Sequence, residues 1–147
     1  WDLAIEKKIA QRAFETDVRE DLKFLPWAPV VFISATTGRG LSALFDAVDR
    51  VHAARGARVT TGELNRLLAR ATEANAPKAD KGNLPVRILF GSQIGTAPPT
   101  FAVSINHPVD LHFSYRRYLE NRIREAFGFE GTPIRLKVKH RARKGRS

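Results

Sequence analysis

The run Val30-Val31-Phe32-Ile33 is apolar at every position. Pro26-Trp27-Ala28-Pro29 precedes it, and the loop Thr36-Thr37-Gly38-Arg39-Gly40 follows it closely. A strand without polar alternation is one buried on both faces, as in a parallel sheet covered by helices. The flanking stretches can supply those covers. Ile5, Ile9, Ala13, Phe14, Val18 and Leu22 recur at helical spacing across 3–24. The prolines that follow end that helix, because proline lacks the amide donor and disfavours helix in the residue before it. Leu41, Leu44, Phe45, Val48 and Val51 mark a second amphipathic helix. Helix, strand and helix make half of an α/β unit. One buried strand needs neighbours on its edges, so residues 1–56 are expected to be the C-terminal fragment of a larger α/β domain.

The segment Ala54-Arg55-Gly56-Ala57-Arg58 is the expected linker. Beyond it, Thr60-Thr61-Gly62-Glu63 fits a capping box opening a helix with Leu64, Leu67, Leu68 and Ala71 inward. A polar connection over 76–85 leads to a strand in which Val86, Ile88 and Phe90 alternate with Arg87 and Leu89. Gly95 to Pro99 read as a turn, and Phe101, Val103 and Ile105 as the inward side of a second strand. Ser114 is the expected cap of a helix burying Tyr115, Leu119, Ile123 and Phe127, with Gly128 ending it. Ile134, Leu136 and Val138 alternate with Arg135, Lys137 and Lys139 in a third strand. The order α-β-β-α-β predicts an α+β module over 57–139, a three-stranded sheet with two helices on one face. A basic tail, 140–147, has no apolar period and is expected to gain order only from a partner.

Charge separates the two parts. The net charge of the 147 residues is +10, yet residues 1–56 hold 8 Lys/Arg and 8 Asp/Glu. Residues 57–147 hold 17 Lys/Arg against 7 Asp/Glu, the whole excess. That asymmetry points to a polyanionic partner for the second part. No apolar run reaches the ~18 residues that cross a bilayer. With no cysteine, disulfides and thiolate metal sites are excluded, and the composition fits a cytoplasmic protein.

Chemistry is sparse in the first part. A carboxylate at Asp2 can accept from the guanine N1–H and exocyclic amine, or can cap the helix that follows it. Ser34-Ala35 ends the apolar run at the loop, where ligands of open α/β sheets bind. An amide there can meet the guanine carbonyl, or the pair can be an ordinary turn. The sequence contains no Gly-x-x-x-x-Gly-Lys-[Ser/Thr] loop to cradle phosphates, so hydrolysis of GTP by these residues alone is not expected. His52, His107, His112 and His140 are not spaced as metal ligands.

The second part offers cations. Arg116, Arg117, Arg122 and Arg124 lie on the helix 115–127. Glu120 is four residues from both Arg116 and Arg124, so part of that face is expected to be paired. Arg117, Asn121 and Arg124 form a stripe suited to phosphate contact. Arg135, Lys137 and Lys139 project from one face of the last strand, and His140, Arg141, Arg143, Lys144 and Arg146 extend the charge. Gly128-Phe129-Glu130-Gly131 has the Gly-x-x-Gly spacing of nucleic-acid-binding KH loops. With Phe and Glu in the middle and a strand following, it reads better as a helix cap and turn.

Several longer stretches carry a family resemblance. They are Pro26-Trp27-Ala28-Pro29 with Ile33-Ser34-Ala35, Thr61-Gly62-Glu63-Leu64-Asn65, Pro98-Pro99-Thr100-Phe101, Tyr115-Arg116-Arg117-Tyr118-Leu119-Glu120-Asn121, and Phe127 to Arg135. Together they resemble the C-terminal part of the bacterial tandem-GTPase family Der, also called EngA. The resemblance implies the end of a second P-loop GTPase domain followed by a KH-like domain without a working Gly-x-x-Gly loop. It implies that Trp1 and Asp2 end an Asn-Lys-x-Asp motif reading guanine, and that Ser34 and Ala35 form the last guanine-contacting loop. GTP or GDP with magnesium would be cofactors of the intact protein, none being expected for this fragment alone.

The resemblance further implies a role in assembly of the large ribosomal subunit. The partners expected are ribosomal RNA and the protein's own GTPase domains. A freestanding RNA- or ribosome-binding module with no nucleotide partner is the alternative. A DNA-binding protein is a weaker one, since no recognition helix is evident.

Overall fold

The structure, a computed structural model, describes residues 10–79 and 85–140. Among them the elements run α1 (Gln11–Asp21), α2 (Leu41–Gly56), α3 (Thr61–Ala74), β1 (Ile88–Gly95), β2 (Thr100–Ile105), α4 (Phe113–Phe127) and β3 (Arg135–His140). From α3 onward the order is that expected from periodicity. The sheet is mixed: β2 is central, with β1 antiparallel and β3 parallel to it. Parallel strands need a long crossover, and α4 provides it. No helix among the described residues is long and apolar enough to cross a membrane.

The core lies between one sheet face and the pair α3 and α4. Leu64, Phe101, Val103, Ile105, Leu119 and Ile123 are completely buried there. Each such side chain stabilises the fold by about 1.5–3 kcal/mol relative to exposure. The two helices are also bonded to each other. Tyr115 Oη donates to Asn75 O at 2.9 Å, and Tyr118 Oη donates to Ala71 O at 3.0 Å. Ala71 O, which also accepts from Asn75 N–H, and Asn75 O thereby tie the end of α3 to α4.

The capping box forms as expected. Glu63 N–H donates to Thr60 Oγ1 at 3.3 Å, and Thr60 N–H donates to Glu63 Oε2 at 3.2 Å. The start of α4 differs from expectation. Its cap is His112, whose Nδ1 accepts from Ser114 N–H, while Ser114 lies inside the first turn. At the other end Gly128, at φ 88°, caps the helix as expected.

The first strand departs from simple alternation, because it carries an extra residue between Ile88 and Phe90. Val86 is buried and Ile88 half-buried, but Phe90 emerges on the opposite face, 48% exposed. Gly91 is the cause. A Cβ there would lie 2.4 Å from Leu68 Cδ1 and 3.3 Å from Leu64 Cδ2, so α3 occupies the space of a side chain. Asn65 fixes this approach: its Nδ2 donates to Gly91 O at 2.8 Å, and its Oδ1 accepts from Gly91 N at 2.9 Å. The Asn65 amide thus serves as a substitute neighbour for the edge of β1. Gln93 acts similarly, accepting from Val59 N and donating to Ala57 O.

The first part of the chain differs more. Residues 3–9 of the expected helix lie outside the described residues, and α1 stops at Asp21. Val30–Ile33 is not a strand among the described residues, and its side chains are half-buried. A strand is made by its ladder, and no described residue supplies one. Phe14 of α1 meets Phe32 edge-on, with ring centroids 6.2 Å apart.

Two outcomes check this packing. Asn65→Ala leaves both Gly91 backbone groups without their partner and should lower stability by about 2 kcal/mol in urea melts. Thr60→Ala should raise the Glu63 pKa, which hydrogen bonds from the Thr60 hydroxyl and backbone hold below the usual glutamate value. A depressed carboxyl pKa stabilises the fold above the unfolded value, and that stabilisation fades as pH falls through the folded one. The acid side of the stability profile should therefore flatten in Thr60→Ala, with the Glu63 titration followed by NMR.

Candidate nucleic-acid interface

Helix α4 and strand β3 hold the cations singled out by spacing, but their surroundings differ. Arg116 pairs with Asp110, and this hydrogen bond holds the Asp110 carboxyl below its ordinary pKa. Arg122 bonds Glu125 at 2.8 Å and lies 6.0 Å from the Tyr118 ring centre. Arg117 and Asn121 are exposed.

Arg124 turns away from that stripe. Its guanidinium sits 5.5 Å from the Trp27 ring centre and donates to Phe129 O and Thr132 O. Burial pushes its pKa down, opposed by Glu120, whose own carboxyl burial pushes up. A guanidinium stays charged through such shifts.

Around Arg124 the two parts of the chain meet. Gly131 N–H donates to Trp27 O at 3.0 Å, and Arg50 pairs with Glu130 at 3.3 Å. A Cβ on Gly131, already at φ 67°, would lie 2.1 Å from Val51 Cγ2. Arg55 joins the β1–β2 turn, donating to Ala97 O and accepting from Ala97 N. Gly128-Phe129-Glu130-Gly131 is therefore part of the contact between the two parts, with Phe129 buried against Phe101 at a centroid distance of 5.8 Å. This junction gave little sequence signal, because its members are far apart in the chain.

Strand β3 presents the other cations. Leu136 faces the core, while Arg135, Lys137 and Lys139 point to the sheet face that no helix among the described residues covers. None of the three has an ion pair or side-chain hydrogen bond with a described residue. Cross-strand rows extend from them. Lys139, Ser104 and Phe90 form one row, and Lys137, Ala102 and Ser92 the next. Arg135 and Thr100 lie beside Gly95 in a third. Phe90 is the member that alternation had assigned to the core.

The loop after Val30–Ile33 is tightly wound. Ser34 is buried, its N–H donates to Arg39 O at 2.9 Å, and its Oγ accepts from Thr37 N–H at 3.2 Å. Gly40, at φ 83°, lets the chain pass Phe32 O where a Cβ would be 2.2 Å away. Ala35 is exposed at the outside of this loop. Trp1, Asp2, Arg141, Arg143 and Lys144 lie outside the described residues.

Comparison with known proteins agrees with this architecture. Residues 58–139 match the family model described as the KH-domain-like region of EngA bacterial GTPase enzymes, C-terminal. The chain belongs to the Der (EngA) family. It is 44% identical over 141 residues to the GTPase Der of Desulfitobacterium hafniense (strain DSM 10664 / DCB-2), covering 96% of this chain and 32% of that protein. The GTPase Der of Thermomicrobium roseum is 46% identical over 145 residues, covering 97% and 31%. That of Geotalea uraniireducens is 41% identical over 147 residues, covering 100% and 33%. The chain thus spans about a third of the length of these curated relatives.

Replacing Arg124 distinguishes an anchoring cation from a surface one. Arg124→Gln should lower stability by about 2 kcal/mol, through two lost charge-assisted hydrogen bonds and the Trp27 contact. A change within about 0.5 kcal/mol in urea melts would mark Arg124 as an ordinary surface residue.

Proposed function

We propose that this chain is the RNA-docking C-terminal region of a GTP-binding factor for assembly of the large ribosomal subunit. Residues 57–139 form the KH-like docking domain, and residues 1–56 complete the preceding GTPase domain. The observation that carries this reading is the row Arg135, Lys137 and Lys139 on an uncovered sheet face, with no carboxylate paired to it among the described residues. Unpaired cations on a rigid strand suit phosphate contact. Arg117 and Asn121 on α4 offer a second exposed contact. Arg141, Arg143 and Lys144 supply salt-sensitive affinity beyond β3. The name GTPase Der, borne by the relatives, supports a nucleotide-dependent parent protein.

In the intact protein Asp2, beside Trp1, reads the guanine edge, and the Ser34–Ala35 loop meets the guanine carbonyl. Exposure of Ala35 beside the internally bonded Ser34 supports this. GTP or GDP with magnesium is thus a cofactor of the whole protein, whose remaining parts would supply phosphate chemistry.

A second reading is favoured by a separate observation. Apolar grooves flank Val31, one lined by Val18, Leu22 and Leu25, the other by Leu44, Val48 and Val51. Such surface suits contact with further parts of a GTPase domain. Docking on the protein's own GTPase domains would use this side and leave the cationic sheet face free. A cytoplasmic location follows from the proposed ribosomal role.

Co-sedimentation with isolated large subunits over a salt series tests the main reading. The triple variant Arg135→Gln, Lys137→Gln, Lys139→Gln should weaken binding and flatten the log–log salt slope by about 2, the value for three phosphates on single strands. Saturable binding with an unchanged slope would remove the β3 row from the interface.

A further inference from the structure

Resting on the RNA-docking reading above, we propose that the open sheet face binds single-stranded RNA, with one unstacked base on the Phe90 ring and adjoining phosphates on Lys137 and Lys139. Phe90 is large, aromatic and 48% exposed, although it belongs to a strand paired within the sheet. It is held outward by the extra residue at Leu89 and by the close approach of α3 to Gly91. The ring is therefore displayed by rigid backbone rather than by a loop.

The floor beside it is low. Ser104 and Ser92 are half-buried, and Ala102 between them is buried. No bulky side chain stands between Phe90 on β1 and the two lysines on β3. The strands bearing them are two spacings apart, roughly 10 Å, which the long lysine side chains partly close. A base lying on Phe90 would thus place its backbone over β2, within reach of the cations.

Charge and shape together select the occupant. The sheet-face cations have no ion pair with a described residue, so an anionic partner completes them. Beyond β3 the sequence continues His140-Arg141-Ala142-Arg143-Lys144-Gly145-Arg146, with no acid. An RNA duplex would satisfy the cations but leave the ring idle, because paired bases hide their faces within the stack. Sequence-tolerant binding of single strands combines a basic track with an aromatic platform, and that is the combination on this face. Phe113 is also exposed, but it begins α4 beside His112, with no row of cations across a sheet from it. The Phe90 face therefore differs from a scattered surface aromatic.

The test uses fluorescence anisotropy of the full chain at fixed salt. Its probes are a labelled ten-nucleotide single-stranded RNA and a blunt RNA duplex of the same length. Phe90→Ala should weaken single-strand binding about tenfold and leave duplex binding unchanged. Phe90→Tyr keeps a flat ring and should keep wild-type affinity, which separates stacking from misfolding. The pair Lys137→Gln, Lys139→Gln should weaken both probes.

If the wild-type chain binds single strand and duplex alike and Phe90→Ala changes neither, the stacking proposal is overturned while the docking reading stands. If the chain binds no RNA, both fail. Binding that survives the Phe90 and lysine variants unchanged also overturns the proposal and leaves the face to a protein partner.

Discussion

The contact between α3 and β1 at Gly91 sets the arrangement of the whole second domain. Leu64 and Leu68 fill the space where a side chain would stand, and Asn65 holds both backbone groups of Gly91. This seats one helix on the sheet and sets which β1 residues face inward. One extra residue in a strand shifts the side chains beyond it relative to their expected faces. Phe90 consequently leaves the core side and joins Ser92 on the open face. The apolar core and the displayed aromatic are thus consequences of the same packing event.

A second constraint joins that domain to the residues before it. Arg124 spans Trp27 and the turn after α4, while Gly131 fits beneath Val51. The Gly-x-x-Gly spacing here serves chain packing, with both glycines at positive φ. This leaves β3 and the open sheet face as the better-exposed cationic surface. One end of the module holds the junction, and the proposed polyanion contact lies on the sheet face away from it.

Much of the second domain was legible in the sequence, because its signals are periodic. Thr60 and Glu63 announced the start of α3, and Leu136 and Val138 announced the inward side of β3. The three inward residues of β2, Phe101, Val103 and Ile105, were equally plain. Phe90 was misread because the residue that reverses it adds no polar or glycine signal of its own. The roles of Asn65, Gln93 and Arg124 were hidden for a related reason. Asn65 and Gln93 bond backbone groups distant in sequence, Arg124 meets the distant Trp27 ring, and contacts of that kind leave no period. The His112 cap was obscured by a serine, a better-known capping residue, two positions later. Val30–Ile33 read as a buried strand, since an apolar run reports burial but not its partners. The site cations on β3 were visible through alternation, whereas the aromatic opposite them required the observed register.

The uncovered sheet face is proposed as the main RNA contact, with Arg117 and Asn121 of α4 secondary and the loop at 34–40 outside it. Backbone NMR of the full chain titrated with a short single-stranded RNA measures this most directly. The largest amide shifts are expected at Phe90, Ser92, Ser104, Lys137 and Lys139, with smaller changes at Arg117 and Asn121. Shifts concentrated on α4 or on the 34–40 loop, with a silent sheet face, would contradict it.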